Sequence, residues 1–263
     1  MGTSRSGTRL LGLTDLPRSL TLVRHAQSVA NVADQEARES GAGRLDIDIR
    51  DADVELSDNG KRQAEALGRW FADASPEERP TLVVSSPYRR AYDTARIVVG
   101  DTGVELIRDE RLRERDLGVL DGLTGKGIRE EYADEAARRK KLGKFYYQPP
   151  SGESWADVVL RVRSFLSDLQ PAIGQAFGDA RIWVFTHQAV IMSFRYVLEA
   201  LSETELLDID REVDIGNVSL TTYDRTDEGL SLARFADASH VEDAEADVTH
   251  ESSSSEVHEG AGA

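Results

Sequence analysis

The chain has 263 residues, 40% of them hydrophobic and 30% charged, which suits one large globular domain or two small ones. It contains no cysteine, which excludes disulfide frameworks, cysteine-ligated metals and every enzyme with a cysteine nucleophile. Its net charge of −16, from 48 acidic against 32 basic residues, argues against nucleic acid as a partner.

Residues 1–17 carry a little positive charge but no apolar stretch of the kind a secretory signal needs, and are expected to form a flexible N-terminal segment. Apolar runs all fall short of the ~20 residues of a membrane span, so no membrane contact and a cytoplasmic location are expected. The folded domain is expected over 18–236. Its first apolar run, SLTLV at 19–23, reads as a buried strand and ends in Arg24-His25. The polar stretch GAGRLDIDIRDAD follows and is the least interpretable part of the expected body. Ser57 is placed as the N-cap of a helix in which Ala64, Leu67 and Phe71 recur at helical spacing. TLVV at 81–84 reads as a second strand, stopped by Ser85-Ser86-Pro87 and followed by a helix with Ala91, Ala95 and Val98 on one face.

VELI at 104–107 is a third strand, and ESWADVVLRVRSFLSDL a helix whose stripe runs through Trp155, Val158, Val162, Phe165 and Leu169. RIWVF at 181–185 is a fourth strand, leading through Thr186-His187 into the helical VIMSFRYVLEAL. VSLTTY at 218–223 and LSLARF at 230–235 close the series. From Asp237 onward there are eight acidic residues and no lysine or arginine, and the chain ends in ESSSSEVHEGAGA. A segment this poor in apolar residues cannot offset its ordering entropy, so 237–263, with His240, His250 and His258, is expected to be a disordered acidic tail.

Strands alternating with helices imply an α/β domain on a mostly parallel sheet, with ligands bound beyond the carboxyl ends of the strands. The two histidines of the expected body, His25 and His187, each directly follow a strand, and Arg89-Arg90 closely follows another. Parallel neighbours would bring these imidazoles and guanidiniums to one sheet edge. Cationic arginines repel a metal ion but bind phosphoryl oxygens, and a neutral imidazole can attack phosphorus. A metal-dependent rival built on Asp46, Asp48, Asp51 and Asp53 has no histidine in the run, which reads instead as a solvated loop or edge strand.

The segment from Leu22 to Asn31, with Arg24-His25-Ala26-Gln27-Ser28, resembles the signature of the histidine phosphatase superfamily (phosphoglycerate mutase-like, branch 1), Arg-His-Gly-Glu-Ser/Thr-x-x-Asn. The resemblance continues in order through LSDNGKRQA, SSPYRRAYDTA, LRERDLGVLDGL, PPSGES, FTHQAVI and GNVSLTTY. It implies a three-layer αβα sandwich. It further implies that His25 is phosphorylated during turnover, that Arg24, Arg90 and His187 form the phosphate pocket, and that Asn31 touches the phosphoryl group. Glu114 is implied as proton donor to the leaving oxygen, and neighbouring Arg115 is a candidate substrate contact. No cofactor or metal is implied, because arginines and imidazole supply the positive charge. The chain departs from the pattern at Ala26 for Gly, Gln27 for Glu and Gln188 for Gly.

The family holds hydrolases and mutases. Where mutases carry a basic pair, this chain has Lys141-Leu142, with Arg138, Arg139 and Lys140 close by. A small phosphorylated substrate is expected, hydrolysed by a metal-independent phosphomonoesterase. Phosphoglycerate mutase activity is the alternative, and a non-catalytic phosphate-binding relative the second. The oligomeric state, monomer or homodimer, stays open.

Overall fold

The computed structural model describes residues 16–75, 77–242 and 249. Six strands form one sheet: β1 (Ser19–Arg24), β2 (Leu82–Ser85), β3 (Leu106–Arg108), β4 (Arg181–Thr186), β5 (Leu220–Thr226) and β6 (Gly229–Asp237). Their spatial order is β3-β2-β4-β1-β5-β6. The first four in that order run parallel, β5 runs antiparallel to β1, and β6 antiparallel to β5. The helices are α1 (Val29–Ser40), α2 (Asp58–Asp73), α3 (Arg89–Val99), α4 (Gly125–Glu131), α5 (Ala133–Leu142), α6 (Trp155–Ile173), α7 (Gln188–Leu198), α8 (Glu203–Glu212) and the single turn α9 (Ser239–Glu242).

A parallel sheet covered on both faces calls for strands that are apolar on both sides. In β1, Leu20 and Leu22 face a core built with α6, α7 and α8, whereas Val23 faces a second core with α2 and α3. In β4, Ile182 and Val184 join the first core, and Trp183 and Phe185 the second. The expected stripe of α6, from Trp155 to Leu169, lies in the first core. The result is the three-layer αβα sandwich. Among the described residues, no helix is long and apolar enough to cross a membrane.

Two expected boundaries are corrected. At the front, residues 1–15 lie outside the described residues, but Leu16 packs on the first core, Pro17 is buried and the Arg18 N–H donates to Ala180 O at 2.8 Å. At the back, β6 runs through Asp237, and α9 packs against α2. Val241 is fully buried in the second core, and buried His240 Nε2 lies 3.0 Å from Val218 O. One valine and one histidine thus extend the domain past residue 237, whatever the composition around them. The expected tail over 243–248 and 250–263 lies outside the described residues.

Candidate active site

Because β2, β4 and β1 are parallel neighbours, their carboxyl ends converge. Arg24 pairs in register with Thr186, and Ser85 with Phe185. His25 leaves β1 with its N–H on Thr186 O at 2.9 Å, and Ser86 leaves β2 with its N–H on Phe185 O at 2.9 Å. The His25 and His187 ring centroids come to lie 5.0 Å apart.

The loop carrying His25 is braced from α2. Ser57 caps α2 as expected, accepting from the Gly60 N–H, and donates its hydroxyl to Gln27 Oε1 at 2.7 Å. The Gln27 N–H donates to Gln63 Oε1 at 2.9 Å. Gly60 must be glycine, since a Cβ there would sit 1.9 Å from Gln27 O. LSDNGKRQA is therefore a buttress for the histidine loop, and the glutamine at 27 serves as its acceptor. The Ala26 methyl packs into the second core, so it takes no room from the site.

His25 Nδ1 lies 2.8 Å from Ala26 O. A carbonyl only accepts, so Nδ1 carries the proton and Nε2 the lone pair. Burial, then the charges of Arg90 and Arg24, hold the His25 pKa well below its ordinary value. His187 is fully buried, with Nε2 at 2.8 Å from Ser86 Oγ and its ring against Tyr88. Its pKa is likewise held well down by burial and then by Arg90. Both imidazoles are neutral near pH 7.

A cleft of about 630 Å³ opens over this edge, and His25, Asn31, Arg90, Glu114 and Arg115 all line it. Arg24 and His187 are not on its wall; they are buried directly behind His25, with the Arg24 guanidinium donating to Ile215 O. Of the Arg89-Arg90 pair, only Arg90 turns inward, while Arg89 is half exposed on Glu55. Arg90 meets Asp51 bidentately, Nη1 to Oδ1 at 2.8 Å and Nη2 to Oδ2 at 3.3 Å. This corrects the reading of the acidic run as wholly solvated. Asp46 and Asp48 are exposed and Asp53 pairs with exposed Arg50, but Asp51 belongs to the site.

Asn31 lines the cleft, yet its Oδ1 accepts from the Ser28 N–H and hydroxyl in the capping box of α1. Any phosphoryl contact would come from its Nδ2. Glu114 places Oε1 on the Arg115 N–H at 2.7 Å and Oε2 4.0 Å from His187 Nδ1. Its loop is tied down by residues the sequence reading passed over. Thr186 Oγ1 donates to Leu112 O, and Arg161 of α6 donates to the Arg111 and Glu114 carbonyls. Glu153, within PPSGES, accepts from Arg113, Arg161 and the Asp116 N–H. Gly118 has φ +54°, and a Cβ on it would lie 2.1 Å from Pro150 O, which locks these two motifs together. Asn217 Nδ2 donates to His25 O at 2.8 Å. Spacing along the chain carries no sign of these braces, except that Gly118, Glu153, Thr186 and Asn217 fall inside motif blocks.

A neutral imidazole at the strand edge, arginines around it and a carboxylate alongside can transfer a phosphoryl group, and the fold is that of the phosphoglycerate mutase-like α/β proteins. Residues 20–238 match the histidine phosphatase superfamily (branch 1), and the chain belongs to that family. It is 34% identical over 204 residues to a Caenorhabditis elegans 6-phosphofructo-2-kinase/fructose-2,6-bisphosphatase, which takes in 76% of this chain but 38% of that protein. It is 27% identical over 220 residues to the 2,3-bisphosphoglycerate-dependent phosphoglycerate mutase of Methylorubrum populi, covering 82% and 96% of the two chains. Among solved structures, a mycobacterial glucosyl-3-phosphoglycerate phosphatase superposes with a TM-score of 0.65 at 28% identity, over 83% of this chain and 98% of its own. The α-ribazole phosphatase of Shigella flexneri shares the fold, with a TM-score of 0.67 at 21% identity over 84% and 96%.

Proposed function

We propose that the protein is a metal-independent phosphomonoester hydrolase working through a phosphohistidine on His25. The observation that carries this reading is the His25–Ala26 hydrogen bond, which leaves an unprotonated Nε2 at the floor of the cleft beside Arg90. Nε2 attacks phosphorus in line, the phosphorus–ester oxygen bond breaks, and the Glu114 carboxyl gives its proton to the departing alkoxide. Water then attacks the phosphohistidine while the Glu114 carboxylate takes the water's proton. The phosphorus–nitrogen bond breaks, its electron pair returns to Nε2, and phosphate leaves. Arg24 and Arg90 neutralise the phosphoryl oxygens, neutral His187 serves the pocket as a hydrogen-bonding imidazole, Asn31 orients them from its amide, and Arg115 meets the substrate farther out. The glucosyl-3-phosphoglycerate phosphatase and fructose-2,6-bisphosphatase relatives support hydrolysis, and the phosphoglycerate mutase relative keeps mutase chemistry as the alternative. A cytoplasmic location fits the cysteine-free composition.

The test is phosphate release from p-nitrophenyl phosphate in the presence of chelator, with labelled substrate trapped on the enzyme. The label should be acid-labile and base-stable, as a phosphoramidate is, and absent from His25→Ala. An acid-stable adduct, or near-normal turnover by His25→Ala, would overturn the mechanism.

A further inference from the structure

The cleft runs well past its phosphate end, and the segment 44–54, in which apolar and acidic residues alternate from Leu45 to Ile49, lines it. Its side chains alternate. Leu45, Ile47 and Ile49 line the cleft, whereas Asp46 and Asp48 point to solvent. The segment is pinned in that register by the Leu45 N–H on Gly122 O at 2.9 Å and by an antiparallel bridge between Arg44 and Leu123. Ile49 is 48% exposed, so its side chain is open to a ligand in the cleft. Leu117, Leu120 and Leu123 add apolar surface to the same cleft.

A volume of about 630 Å³ lies within the range of pockets that enclose a drug-sized ligand, roughly 300–1,000 Å³, and far exceeds a three-carbon acid.

We infer that the substrates are phosphomonoesters of bulky, largely apolar alcohols, with Leu45, Ile47 and Ile49 as specificity-determining contacts. This rests on the phosphatase reading above, but its test does not depend on turnover.

The full chain is titrated calorimetrically with ethylphosphonate and hexylphosphonate. Each buried methylene strengthens binding severalfold, so hexylphosphonate should bind at least ~10-fold tighter than ethylphosphonate. Ile49→Ser, at an exposed position, should shrink that ratio about threefold, chiefly by weakening hexylphosphonate. Equal affinity for the two ligands, or an Ile49→Ser ratio that does not move, would overturn the inference. Failure of the phosphatase reading shows differently, as absence of phosphate release from any ester while the phosphonate series still ranks by size.

Discussion

The carbonyl oxygen of Ala26 accepts a hydrogen bond from the Nδ1–H of His25 across 2.8 Å, and this one contact fixes the tautomer that leaves the lone pair at Nε2. The same bond favours the imidazolium, but burial and the Arg90 and Arg24 charges penalise it more and keep the ring neutral.

A pH dependence follows from the two depressed histidines. Their folded-state pKa values lie below the unfolded value of about 6.5, so as pH falls through that point the unfolded chain gains protons that the folded chain refuses. Stability should therefore hold above about pH 6.5 and decline below it. The ring-proton resonances of His25 and His187 should remain in their neutral positions at pH 6, read by NMR against the single variants. Either imidazole titrating above the ordinary value would contradict the electrostatics of the site.

Glu114→Gln should slow alkyl esters far more than aryl esters. A general acid matters in proportion to the basicity of the departing oxygen, and its removal typically costs ~10²–10⁴-fold. The comparison is kcat/KM on ethyl phosphate and on p-nitrophenyl phosphate. Equal losses on both would place Glu114 in binding, and Asp121, which also lines the cleft, would become the next candidate.

Ending the chain after Ala236 should destabilise it and impair the site. Such a truncation removes Val241 from the second core and His240 from Val218 O, and it deletes Thr249. The Thr249 hydroxyl donates to Asn217 Oδ1 at 2.9 Å, and Asn217 in turn holds His25 O at 2.8 Å. Gln63 Nε2 and the Asn217 N–H also donate to Thr249, so losing one buried valine and these four hydrogen bonds should cost at least about 4 kcal/mol. A chain ending after His250 should keep the full-length melting temperature and kcat. Equal stability of the two truncations would show that the contacts beyond 236 contribute nothing.

What was legible in the sequence was whatever repeats with a period or follows a strand. SLTLV and RIWVF are apolar without alternation because both faces of the sheet are covered, and the residues after them fall at its carboxyl edge by topology alone. Arg90 was distinguishable from Arg89 through the family motif. Asp51 was hidden because its segment forms no strand, so its inward partner Arg90 is visible only once α3 is docked. Glu153 and Arg161 were hidden for the same reason: a carboxylate among 48 acidic residues declares its role through the three groups it accepts from. The end of the domain was misplaced because average composition weighs a tail by its many polar residues, whereas a fold is extended by one well-placed Val241.

The choice between hydrolase and mutase turns on whether the phosphohistidine meets water or a retained acid. At the place of the mutases' basic pair, Leu142 is 46% exposed and Lys141 is also exposed. Of the neighbouring cations only Arg139 turns into the cleft, since Arg138 and Lys140 face solvent. Lys144 reaches the cleft too, but its ammonium is held by buried Asp210 at 2.6 Å. One arginine of α5 then stands where the mutases carry a basic pair, a weaker clamp for holding a phosphoglycerate while water is excluded. Supplied with 3-phosphoglycerate and a trace of bisphosphoglycerate primer, the enzyme should release phosphate slowly and form 2-phosphoglycerate at under about a tenth of that rate, a gap of roughly 1.4 kcal/mol between the competing barriers. Arg139→Ala should change that partition little. Rapid isomerisation with little free phosphate, abolished by Arg139→Ala, would reverse the ranking and make Arg139 the clamp of a mutase.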